Sequence, residues 1–106
     1  MADKPGVQQS KQEAGAKFDA GKARIDLIAP EMLLGTAEIL DFGAKKYARD
    51  NWKHVEGGET RYLAAAFRHL AAHNRGEKVD SETGISHLAH AGCCVLFLLA
   101  LEKKNG

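Results

Sequence analysis

Between Arg68 and His90 the chain reads RHLAAHNRGEKVDSETGISHLAH, and these 23 residues restrict the fold more than any other stretch. They hold four of the five histidines and three acids, Glu77, Asp80 and Glu82, interleaved with core-forming Leu and Ala. Arg75-Gly76 breaks the stretch between two segments with apolar residues at helical spacing. Glycine suits that place because it closes a helix in a left-handed conformation that other residues avoid. The polar run from Glu77 to Ile85 is short, so the flanking helices are expected to fold back as antiparallel neighbours. That arrangement brings the titratable groups toward one site.

The same periodicity assigns the rest of the chain. A first helix is expected from about Pro30 to Tyr47. Proline loses nothing in a first helical turn, and Glu31 beside it favours the helix dipole. Leu33, Ala37, Leu40, Ala44 and Tyr47 mark its buried stripe. Gly43 inside it costs roughly 1 kcal/mol relative to Ala, which a close backbone approach would explain. The segment 48–59 carries Asn51-Trp52 and Gly57-Gly58 and reads as a loop. A second helix runs from an N-cap near Thr60 to Arg75, with Leu63, Ala66, Phe67, Leu70 and Asn74 facing inward. A third starts after Ser86 as N-cap and extends from His87 to about Glu102. Leu88, Ala91, Val95, Leu96, Phe97, Leu98, Leu99 and Leu101 make it apolar nearly all round, so it must be buried on more than one side. A chain of 106 residues buries only roughly 60–65% of its unfolded surface, and contact between copies is the natural outlet for the excess. The predicted architecture is therefore all-α: a small antiparallel helical bundle of three main helices, assembling as a homo-oligomer. Residues 1–16, nearly free of large apolar side chains, form an extended, flexible N-terminal arm, and residues 17–106 form a single domain.

A net charge of +1 gives no bulk attraction to nucleic acid or anionic lipid, so neither is an expected partner. The apolar run 91–101 is about half the length that spans a bilayer. The N-terminus has no apolar signal-peptide core, so a cytoplasmic chain is expected. Cys93 and Cys94 are adjacent in a helical pattern and read as small core residues.

Imidazole and carboxylate are common metal ligands, and His69, Glu77, Asp80, Glu82, His87 and His90 converge if the second and third helices are antiparallel. The alternative is that the histidines cap helices and satisfy buried polar groups. Glu38-x-x-Asp41 is either a two-carboxylate metal clamp or a solvated face paired with Lys45. Lys17, Lys22 and Arg24 form either a solvated loop or an anion-binding arm. With Lys45, Lys46, Arg68 and Arg75 they supply cations for a polyphosphate. Trp52 is a lid on the core or a stacking surface. Acids and cations together in one small helical domain point to metal-bridged nucleotide binding. No phosphate-loop, Gly-x-Ser-x-Gly or Cys-x-x-Cys pattern occurs.

Taken as an ordered set, Lys17-Phe18-Asp19-x-Gly21-Lys22, Phe42-Gly43-Ala44-Lys45-Lys46-Tyr47, Asn51-Trp52, Arg68-His69-Leu70, Gly76-Glu77-x-x-Asp80-x-Glu82-x-Gly84 and His87-Leu88-Ala89-His90-Ala91 resemble the phage-associated dATP/dGTP diphosphohydrolase domain. That group is similar to the all-α nucleoside triphosphate pyrophosphohydrolases of the MazG type. The resemblance covers about residues 17–100. It implies a nucleotide-binding domain, located in the host cytoplasm if phage-encoded. It also implies hydrolysis of a purine deoxynucleoside triphosphate to the monophosphate and pyrophosphate, with a divalent metal, Mg²⁺ or Mn²⁺. Carried over by position, Glu77, Asp80 and His69 are the catalytic candidates. Glu77, Asp80, Glu82, His87 and His90 are the metal candidates. Lys17, Lys22, Arg24, Lys46, Tyr47, Asn51, Trp52 and Arg68 are the nucleotide-binding candidates. One departure bears on mechanism: His87-x-x-His90 and Arg68-His69 stand where MazG-type enzymes carry acids. The second expectation is therefore a non-catalytic nucleotide-binding protein that sequesters a nucleotide-derived signal.

Overall fold

The computed structural model of the chain describes residues 15–105. Most of the expected N-terminal arm, 1–14, lies outside the described residues. Among those described, three α-helices carry an all-helical fold: α1 (Leu34–Lys46), α2 (Gly58–Asn74) and α3 (His87–Asn105). The one extended pairing among them is an isolated bridge between Val79 and Ser86. Short 3₁₀ turns at Ile25–Leu27, Pro30–Met32 and Asn51–His54 fill the connections.

Pro30 opens a turn rather than α1. The Leu33 N–H bonds to Pro30 O, three residues back, and Leu33 then serves as the N-cap of α1, its carbonyl accepting the Ala37 N–H. α2 starts two residues before Thr60, because Gly57 turns the chain at φ +68° and Gly58 N bonds to Val55 O. Its end follows the sequence. Gly76 sits at φ +98°, its N–H bonds to His73 O, and Glu77 N bonds to Ala72 O, the paired bonds that close a helix at a left-handed glycine. Ser86 caps α3 as its hydroxyl allows, with Oγ accepting the Leu88 N–H at 3.1 Å.

α2 and α3 form the centre of the fold. A Cβ on Gly58 would lie 3.7 Å from Leu101, the rings of Tyr62 and Phe97 stand 4.8 Å apart, and His69 meets His87 and His90. What is buried between helices is small: Ala66, Ala72, Ala91, Cys93 and Cys94, with Leu101. Both cysteines are free thiols, and burial pushes Cys93 up to about 12, so it remains a thiol.

The apolar stripes differ from the sequence reading. On α2, Ala66 is buried but Leu63, Phe67 and Leu70 are 47%, 63% and 46% exposed. No residue of α1 is buried, and Leu33, Leu40 and Tyr47 of the expected stripe are all exposed. Small residues let two helices approach closely, so the α2–α3 contact selects the alanine row, and no described element covers the larger one. α1 meets α3 through Gly35, where an added Cβ would stand 2.6 Å from Ala89 Cβ. Gly35, not Gly43, is thus the close approach: a Cβ at Gly43 meets nothing within 4 Å.

Candidate functional site

The loop between α2 and α3 is organised by Asp80. Its Oδ2 accepts the N–H groups of Glu82 and Thr83 at 3.1 and 3.0 Å and the Thr83 hydroxyl at 3.2 Å. Asp80 N–H in turn bonds to Ile85 O, and Gly84 turns the chain at φ +72°. Burial works against ionisation of Asp80, but the Thr83 amide and hydroxyl outweigh it and hold the carboxyl below its usual range.

His87 opens α3 and is buried at 4% exposure. Its Nδ1 lies 2.8 Å from His69 Nδ1, and its Nε2 lies 2.9 Å from Glu77 Oε2. A carboxylate accepts, so His87 donates its Nε2–H to Glu77 and presents an Nδ1 lone pair to His69. His69 also stacks on His90 at 4.5 Å. His90 Nε2 faces Thr83 Oγ1 at 2.7 Å, and Thr83 passes the bond on to Asp80.

His69, Asp80 and His87 are the group among the described residues whose ligand atoms all lie within 4.8 Å of one another. The remaining metal candidates are placed differently. Glu77 supports His87 from the far side of the ring. His90 Nε2 is turned to Thr83, 4.0 Å from Asp80. Glu82 reaches out to α1, where its Oε2 accepts Lys46 Nζ at 2.6 Å, and this carboxylate raises the Lys46 ammonium above the usual lysine range. Asp41 pairs with Lys45 at 2.9 Å, one turn along α1, which fits the solvated-face reading of that helix.

The cationic candidates divide in the same way. Tyr47, Asn51, Trp52 and Arg68 line one cleft of about 890 Å³ between the end of α1, the 51–54 turn and α2. Arg49, Lys53 and Arg61 add cations there. Trp52 lies flat on Phe97 at 4.7 Å, and its carbonyl accepts the Tyr62 hydroxyl at 2.8 Å, so one ring face covers the core. Lys17 pairs with Asp19 and Arg24 with Asp26, both locally and in solvent, and Lys22 is exposed at the Gly21 turn. None of these three arm cations lines the cleft. Thr83, Tyr62 and Arg61 were not singled out from sequence. Thr83 was signalled by its spacing, since a residue three after an Asp is where that side chain closes a turn.

The cluster also sets an acid limit on stability. Burial pushes His69 below the usual imidazole value, aided by the nearby His90 and His87 rings, and burial does the same to His90. The unfolded chain therefore takes up protons first. Stability from these two groups is complete above about pH 6.5 and declines as pH falls through that value. In EDTA, melting temperature should drop between about pH 6.5 and pH 5. A profile flat across that interval would contradict the burial of the pair.

The structure is thus an all-helical fold in which α2 contributes both to an imidazole–carboxylate cluster, through His69, and to a cleft lined by cations, through Arg61 and Arg68. Residues 12–106 match the family described as dATP/dGTP diphosphohydrolase, N-terminal, and the chain belongs to that family. It is 38% identical over 91 residues to a dATP/dGTP diphosphohydrolase of Salmonella phage PMBT28. That alignment covers 86% of this chain but 31% of the relative, so the chain spans about a third of the length of the curated relative it matches. No solved structure matches the chain. Among the described residues, no helix is long and apolar enough to cross a membrane.

Proposed function

We propose that the chain is a metal-dependent diphosphohydrolase domain that converts a purine deoxynucleoside triphosphate, dATP or dGTP, to the monophosphate and pyrophosphate. The convergence of His69, Asp80 and His87 supports this reading most directly, together with the name of the phage relative. Two imidazole nitrogens and a carboxylate are a donor set that fits a divalent cation. Such an ion would polarise phosphoryl oxygens and lower the pKa of bound water. The residues of the chain do the rest. His87, fixed by Glu77, and His69 hold the acidic centre in place. Arg68 on α2 makes no ion pair among the described residues and stands next to His69 in the chain, so it takes the phosphates. The cleft with Tyr47, Asn51 and the outer face of Trp52 takes the base. Positioning and charge neutralisation supply most of the rate.

The test is incubation of the folded chain with dATP, dGTP and either Mg²⁺ or Mn²⁺, following pyrophosphate and separating nucleotides by chromatography. Monophosphate and pyrophosphate in equal amounts is the expected result. No turnover with any nucleotide or metal would sink the reading. Tight binding with intact recovery of ligand would establish instead a nucleotide-sequestering protein, the alternative favoured by imidazoles standing where related enzymes carry acids.

The same reading includes a homo-oligomer of helices paired antiparallel. Leu63, Phe67 and Leu70 recur along one row of α2, and Leu88, Val95 and Leu99 along one of α3, all about half exposed. Exposed rows of this kind mark contact surfaces, and copies of the chain are the simplest cover. Phe67→Asp should convert the assembly to monomer in light-scattering chromatography. A wild-type chain that elutes as a monomer at micromolar concentration would refute it.

A further inference from the structure

We infer that His69, His87 and Asp80 form a selective site for a d-block divalent cation of the Mn²⁺ to Zn²⁺ series, with Glu77 as the outer carboxylate that orients it. The inference rests on the proposal that this centre holds a metal and narrows which metal; it does not depend on the nucleotide.

Donor type argues first. Mg²⁺ demands oxygen ligands in near-ideal octahedral geometry and keeps its waters. A centre offering two neutral imidazoles and one carboxylate suits Mn²⁺, Fe²⁺, Co²⁺ or Zn²⁺. The acids that would convert it to an oxygen site are used elsewhere. Glu77 is committed to His87 Nε2 and Glu82 to Lys46, while Asp80 gives Oδ2 to its own loop and keeps Oδ1 as the single carboxylate oxygen for the ion.

Spacing argues next. Imidazole nitrogens about 2.1 Å from one ion stand roughly 3.0 Å apart at an octahedral angle and about 3.4 Å apart at a tetrahedral one, so a few tenths of an ångström of opening would admit the ion. The two Nδ1 atoms are already 2.8 Å apart, and the full set spans no more than 4.8 Å. The pair is fixed rather than mobile: His87 is buried, and Glu77 holds its ring so that Nδ1 faces inward. A carboxylate behind a ligating imidazole is the usual support for a metal-bound histidine. Because His87 gives its Nε2–H to Glu77, the proton between the two Nδ1 atoms belongs to His69. Metal binding requires that proton to leave Nδ1, and His69 becomes the Nε2–H tautomer with both Nδ1 lone pairs directed at the ion.

The experiment uses the whole chain, stripped of metal and without nucleotide, titrated with Co²⁺. The readouts are visible d–d absorption and calorimetry. One Co²⁺ per chain should bind, Zn²⁺ should displace it, and a 100-fold excess of Mg²⁺ should not. His69→Gln and Asp80→Asn should each weaken uptake by about 100-fold or more, and Glu77→Gln by about 10–100-fold. His54→Gln, in the exposed turn before α2, should bind as wild type. Circular dichroism checks folding; if His87→Gln unfolds, the half-buried His69 and Asp80 variants carry the test. Absent Co²⁺ uptake, uptake unchanged in those variants, or displacement by Mg²⁺ as readily as by Zn²⁺ would overturn the inference. Cobalt uptake without pyrophosphate release under any metal would sink the hydrolase reading alone. Pyrophosphate release with Mg²⁺ in a chain that takes up no Co²⁺ would sink this one alone.

Discussion

On the proposed hydrolase reading, His87→Gln should lower pyrophosphate release by about 100-fold or more, with little change in nucleotide affinity. The size follows from what the ring connects. Its two nitrogens face different partners, Nδ1 to His69 at 2.8 Å and Nε2 to Glu77 at 2.9 Å, in a position only 4% exposed. Glutamine places one amide in the space of a two-ended ring and cannot reach both. His69 then loses its neighbour, and Glu77 is left with no role at the centre. A buried polar group without its partner costs about 1–3 kcal/mol, so melting should also fall. Kinetics therefore belong at a temperature where both proteins are folded by circular dichroism. Neither His87 nor its partners His69 and Glu77 line the cleft assigned to the base, so binding of a nonhydrolysable dNTP should remain within a few-fold of wild type. Loss of binding equal to the loss of turnover would show that the ring serves the fold of the whole domain instead. Undiminished release would remove the cluster from the chemistry.

The histidine-rich stretch was legible because its meaning is local. Gly76 and Ser86 have side chains, or the lack of one, that suit helix ends, and those ends fix where the loop starts and stops. With both ends fixed, the meeting of His69 with His87 needs only two helices folded back on each other. What the sequence concealed depends on partners far away in the chain. Glu82 and His87 look equivalent as ligands, yet one is claimed by Lys46, 36 residues away, and the other by Glu77. No spacing rule distinguishes them. The reversed stripes have a similar cause. Periodicity finds the row with the largest apolar side chains, Leu63-Phe67-Leu70, and treats it as the interior. Helices that approach closely need small side chains, so the internal contact took Ala66 and Ala72. Large residues at helical spacing report that a surface must be covered, without saying which molecule covers it. Trp52 reads from sequence as either lid or platform, and the structure places one face of its ring flat on Phe97, a contact 45 residues away that no local spacing announces.

The same argument about small residues leads to the other large effect, in a place with no titratable group. Gly35→Ala should destabilise the chain, although alanine is the better helix former by about 1 kcal/mol. The added Cβ would stand 2.6 Å from Ala89 Cβ, and that atom has no rotamer with which to move away. Relief requires α1 to withdraw from α3 by about 1 Å. Overpacking of this kind costs roughly 1–3 kcal/mol, more than the gain in propensity at the upper end. Withdrawal also pulls on the tie between Lys46 and Glu82, since both ends of α1 move with its axis. Ala89→Gly removes the opposing methyl and should itself cost about 1 kcal/mol of helix propensity. Combined, the two changes exchange the positions of one methyl group across the contact, so the double variant should be more stable than the sum of the singles by roughly 1–3 kcal/mol. Urea midpoints at one fixed protein concentration measure this without interference from assembly. Additive effects within about 0.5 kcal/mol would mean that α1 does not rest on α3 at Gly35, and the placement of the cleft between α1 and α2 would fall with it.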